Sequence, residues 1–179
     1  DGNCVNDVEF TFATVFNGTT YSDFVSQAAS TGREYFLSSP ADPIPQIEDV
    51  TVTHLLDNFH NLTINTDDPA VYTGPSFLIV DTTGYTGNPT PSLSVEGNIG
   101  FCGIIWVIGE MKIAGTSGIK GTVFVDGNPL EDTALTGNSV VDYDPPCIEA
   151  AIDSVSATIF PGTPGIISWR EIRQDELLF

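Results

Sequence analysis

A six-residue beat from Val95 to Asp126 restricts what this chain can fold into more than any other feature. Read in sixes it runs Val-Glu-Gly-Asn-Ile-Gly, Phe-Cys-Gly-Ile-Ile-Trp, Val-Ile-Gly-Glu-Met-Lys, Ile-Ala-Gly-Thr-Ser-Gly and Ile-Lys-Gly-Thr-Val-Phe, and then begins again with Val125-Asp126-Gly127. The first place is always large and apolar: Val95, Phe101, Val107, Ile113, Ile119 and Val125. The third is always glycine, from Gly97 to Gly127, and the fifth is apolar at Ile99, Ile105, Met111 and Val123 but Ser117 once.

A helix turning every 3.6 residues would scatter such a pattern around its axis, so the beat belongs to extended chain. It predicts a mainly β fold built on a short parallel β-solenoid, three brief strands to a coil of roughly eighteen residues, with glycines at the corners. Two glycine-rich hairpins are the competing arrangement. In the solenoid the six first-place residues fill the core. Trp106 and Phe124, eighteen positions apart, stack on neighbouring coils of one outward face, as do Ile104 and Thr122. An uncovered Trp-Phe ladder is costly at roughly 25 cal/mol per Å². A helix is therefore expected across it, either Val52 to Phe59 or Cys147 to Ile152.

The remaining chain reads as one domain over residues 1–179: an N-terminal strand and helix region to 92, the solenoid over 93–143, and a closing helix and strand over 144–179. Val8 to Phe16 alternates as a strand with one buried face. Tyr21, Phe24, Val25 and Ala28 recur at helical spacing behind Thr20 or Ser22 as a cap. Val52, Leu55, Leu56 and Phe59 suggest a second helix, capped by Asp49 or Thr51. Ser76 to Val80 is a short buried strand, Thr136 to Tyr143 another, Pro145-Pro146 opens a helix from Cys147 to about Asp153, and Gly165 to Ile172 alternates as a last strand.

Charge and cysteines narrow the setting. With 24 acidic and 5 basic residues, net −19, the surface repels nucleic acid and anionic membranes. No run reaches the roughly 20 apolar residues that span a bilayer. The chain does not open on methionine and is expected to be a processed or excised product. Scarce lysine, three cysteines and sequons at Asn17 and Asn61 point to an extracellular setting with glycosylation candidates at those two asparagines. Cys102 points outward from the solenoid and Cys147 opens the helix expected nearby, so Cys102–Cys147 is the first choice of bridge. Cys4 is then free or joined to another chain; Cys4–Cys147 is the competing pairing.

Catalytic constellations were sought on several templates. Hexapeptide acyltransferases need a histidine base, but His54 and His60 lie outside the coils and six apart, which also fails as an i,i+4 metal pair. Glu96, Glu110 and Asp126 occupy different places of the repeat and form no acid and base pair. Asp67-Asp68 and Asp142-Tyr143-Asp144 lack the ligand spacing of a known calcium loop. No cofactor and no catalysis are expected.

From Val80 onward the order of parts resembles the C-terminal domain of PilX-type minor pilins and related pilus-assembly proteins. The resemblance is carried by Gly103 to Gly115, Gly121 to Gly127, Gly137 to Asp144, Cys147 to Ile152, and the ending Ile167-Ser168-Trp169-Arg170-Glu171. It implies a surface-exposed domain of an extracellular pilus or pseudopilus subunit, acting by assembly and adhesion with other filament subunits. Pilins carry a hydrophobic N-terminal helix that this chain lacks, so that helix is expected to be removed or supplied by a separate chain docking on Asp1 to Phe16. A carbohydrate-binding or carbohydrate-active solenoid is the alternative and calls for an aromatic-lined groove. A bactofilin-like polymer is disfavoured, because those solenoids run uninterrupted and lack the helices and cysteines.

Overall fold

The computed structural model describes residues 19–48, 51–58, 62–87, 92–109, 112–115, 118–126, 135–137 and 140–159. Helix α1 (Tyr21–Ser30) and strand β1 (Glu34–Leu37) are followed by β2 (Val52–Asp57), β3 (Leu62–Asn65), β4 (Ser76–Asp81), β5 (Ser92–Glu96), β6 (Phe101–Ile108), β7 (Lys112–Gly115), β8 (Gly118–Asp126), β9 (Leu135–Gly137), β10 (Val140–Asp142) and helix α2 (Pro145–Ile159). One sheet is ordered β1-β2-β4-β6-β8-β10 and the other β3-β5-β7-β9. Every strand pairing in both sheets is parallel. From β2 onward successive strands therefore fall alternately in one sheet and then the other. Antiparallel hairpins, the competing reading of the glycine beat, do not occur among the described strands.

Register assigns each side chain to a layer. The row Tyr35, Leu55, Val80, Val107, Val125 crosses five strands on the face turned toward the second sheet. There Leu55, Leu78, Val80, Ile105, Val107, Phe101 and Ile119 pack with Leu62, Ile64, Leu93 and Val95 of the four-stranded sheet in one buried core. The adjacent row Glu34, His54, Ile79, Trp106, Phe124 lies on the opposite face. That outer face is covered by Phe24 and Ala28 of α1 and by Ile148, Ala151 and Ile152 of α2. Burying the Phe24 ring, which stacks on Phe77 at 4.8 Å, contributes about 1.5–3 kcal/mol.

Three expectations need correction. The helix expected over Val52 to Phe59 is a strand where it is described: β2 occupies Val52–Asp57, with Val52, Thr53, His54, Leu55 and Asp57 all buried. A strand of a parallel sheet covered on both faces is apolar throughout, and such a run imitates helical spacing by chance. Its β-branched Val52 and Thr53 and the ladder to β4 decide for extended chain. Val125 does not fill the core but is 37% exposed. It ends its row, because β10 pairs with Gly118–Lys120 and leaves the Val125 stretch of β8 without a neighbour on that side among the described residues. Thr136 to Tyr143 is likewise two strands in different sheets rather than one.

The parallel ladder also begins well before residue 93, at Glu34. Phe101 pairs with Ile119, eighteen positions on, but Phe77 pairs with Val52 and Leu93 with Leu62, at separations of 25 and 31. The six-residue beat therefore matches the spacing of β6 and β8 and does not extend to β2, β3 and β4. Of the other first-place residues, Val95, Phe101, Val107 and Ile119 are buried, and Ile113 lies on β7 opposite Leu93 and Leu135.

Candidate functional site

The outer face of the larger sheet gathers the side chains on which a functional reading can rest. Trp106 is 2% exposed and its ring lies 5.0 Å from that of Phe124. Both belong to the cluster that α2 covers through Ile148, Ala151 and Ile152, so of the two elements expected across the ladder it is the Cys147 helix that lies there. A disulfide joins Cys102 of β6 to Cys147 in the first turn of α2, with Cα atoms 5.1 Å apart. Asp144 accepts from the backbone N–H of Cys147 at 3.2 Å and orients that turn. Cys4, Asn17 and Asn61 lie outside the described residues, as do the strands read over Val8 to Phe16 and Gly165 to Ile172.

A second assembly, missed by sequence reasoning, sits where α1 begins. Thr20 caps the helix, its N–H reaching the Asp23 carboxylate at 2.8 Å, and the Thr20 hydroxyl donating to Asp23 at 2.6 Å holds that carboxyl below its usual range. This capping aims Tyr21 down onto the sheet. The Tyr21 hydroxyl donates to Asp81 Oδ2 of β4 at 3.1 Å and lies 3.2 Å from His54 Nε2 of β2. His54 Nδ1 lies 3.2 Å from Glu34 Oε1 of β1. Asp81 is itself oriented by the backbone N–H and hydroxyl of Thr83, at 2.9 and 2.6 Å. Burial, followed by the Asp81 charge, keeps the phenol protonated far above its ordinary range.

Four side chains from one helix and three strands thus meet in an unbroken hydrogen-bonded line. The histidine at its centre is 2% exposed and faces outward on a strand. The sequence held one usable signal: a lone histidine inside the apolar run Val52-Thr53-His54-Leu55-Leu56 needs a polar partner if it is buried. Assigning that run to a helix hid the partners of His54.

At the opposite end of the strands Asp67 closes a loop. Its carboxylate accepts from the N–H groups of Asn98 and Ile99 and from the Asn98 amide at 2.8–3.2 Å. An open polar recess of about 410 Å³ is lined there by Asn65, Asp67, Glu96, Gly97 and Asn98, without an aromatic side chain. Among the described residues no group of three or more His, Cys, Asp or Glu is arranged to hold a metal ion, and no helix is long and apolar enough to cross a membrane. Comparison of the chain with protein-family models, curated proteins and solved structures returns no match.

Proposed function

We propose that this chain is a short parallel β-solenoid that forms the surface-exposed domain of an extracellular pilus or pseudopilus subunit, acting by assembly and adhesion rather than by catalysis. The observation that supports the reading is the alternation of strands between two parallel sheets around one apolar core. Wound as a solenoid, that arrangement gives a stiff, elongating body with polar loops at its corners. A cystine supports a site outside the reducing cytoplasm. The acidic surface, net −19, keeps an exposed domain soluble. The partners in this reading are other filament subunits and a separate hydrophobic helix chain.

Mass spectrometry of intact extracellular filaments tests it. The chain is expected in the filament fraction together with a small hydrophobic companion. Recovery of the chain solely as a free monomer in the medium overturns the reading.

A further inference from the structure

Hydrogen-bond accounting around His54 leads beyond assembly. Tyr21 has one proton, and the structure directs it to Asp81 at 3.1 Å. The phenol oxygen, 3.2 Å from His54 Nε2, can then serve the ring only as acceptor. On the other side of the ring, Glu34 Oε1 at 3.2 Å is an acceptor when ionised. Satisfying all three contacts at once requires a proton on each ring nitrogen. A neutral ring with carboxylates on both flanks leaves one contact as acceptor against acceptor, a serious loss for a side chain only 2% exposed.

The charged groups around the ring favour the extra proton. From β1 there is Glu34, from β4 Asp81 acting through Tyr21, and from α1 Tyr21 itself. Arg33, the nearest basic residue in sequence, is turned away to Glu48 and to the carbonyl of Gln46. Asp57 of β2 lies on the inner face with Leu55 and Leu37. Asp23 of α1 is engaged with Thr20. Two carboxylates therefore address the ring, and no described cation opposes them.

We propose that docking of the first turn of α1 on the sheet is coupled to the uptake of one proton by His54, whose imidazolium ties Glu34 of β1 to Tyr21 of α1 and through it to Asp81 of β4. Docking tightens as pH falls and loosens as it rises. Phe24 and Ala28 of α1 are buried in the outer cluster independently of the ring, so the device is expected to set how firmly the amino end of α1 is held rather than whether the chain folds.

Amide exchange at Asp23 and Phe24, corrected for the intrinsic pH dependence of exchange, is to be followed from about pH 5.5 to about pH 8.5, with nitrogen NMR of the His54 ring. Opening of these amides is expected to become about tenfold more frequent over that span, with two protonated ring nitrogens at the acid end. His54→Gln is expected to remove the dependence. Glu34→Gln, which keeps the ring and guards against a misfolded His54 variant, is expected to lessen it. A ring carrying one proton throughout, or the same profile in the native protein and in either variant, overturns the proposal. Because the readout is local to α1, the result is independent of whether the chain enters a filament.

Discussion

Gly103 and Gly121 face one another across β6 and β8, each with φ of +130°. A Cβ on Gly121 would lie 1.9 Å from the carbonyl oxygen of Gly103, and one on Gly103 would lie 2.1 Å from that of Ser76. Both the left-handed backbone and the stacking of one strand directly on the next demand glycine here. Gly32, just past α1, has φ of +70° but open space where its Cβ would be. The pair separates conformational strain from collision. Gly32→Ala is expected to lower stability by roughly 1–2 kcal/mol, and Gly121→Ala by more than about 3 kcal/mol. Urea unfolding midpoints measure both, and equal losses would mean that β6 and β8 do not stack at this point. The remaining polar loop residues follow simpler rules: Asp42 is held below the usual carboxylate range by the backbone N–H and hydroxyl of Ser38, and so fixes the turn after β1.

At the scale of elements, the cystine is the strongest single tie between α2 and the sheet. It closes a span of 45 positions, which in the chain-entropy account restricts the unfolded state by about 4 kcal/mol. Cys102→Ser with Cys147→Ser is expected to lower the thermal midpoint and to leave α2 held by its packing on the sheet, in which Ile148, Ala151 and Ile152 take part. Differential scanning calorimetry of the oxidised protein and the double variant checks this; an unchanged midpoint would show that the reduced helix is already fully held by its apolar face. The sequence made this tie legible as the first choice, from an outward Cys102 and a helix opening at Cys147, with Cys4–Cys147 as the competitor. It made the Trp106 and Phe124 pair legible too, because their eighteen-residue separation sets them opposite one another on β6 and β8. It did not reveal β2, β4 and their partners as earlier turns of the same ladder. Their connections are long and unequal, so no period survives in Val52–Asp57 or Ser76–Asp81. The line from Glu34 through His54 and Tyr21 to Asp81 stayed hidden with them, since its members are brought together only by register between β1, β2 and β4.

For the molecule as a whole, 24 acidic against 5 basic residues leave a net charge of −19 on a chain of 179 residues. Repulsion among these charges opposes compaction and is screened by salt, the Debye length falling from about 10 Å at 0.1 M to about 3 Å at 1 M. The thermal midpoint is therefore expected to rise steadily with sodium chloride over that range, and a flat or falling trend would show that the acidic side chains are too dispersed to matter. The core does not share this sensitivity, being apolar across both sheets.

The all-parallel order of the ladder bears on how the polypeptide is made. Within the larger sheet β1, β2, β4, β6, β8 and β10 lie side by side in the order in which they leave the ribosome, and β3, β5, β7 and β9 do the same in the smaller one. Each newly synthesised strand has a finished neighbour waiting as its template, and none has to be inserted between two that have already met. The bond between Cys147 and Cys102 reaches back 45 positions along the chain. Cys147 follows all ten described strands in the chain, so this bond can close only once they have been synthesised.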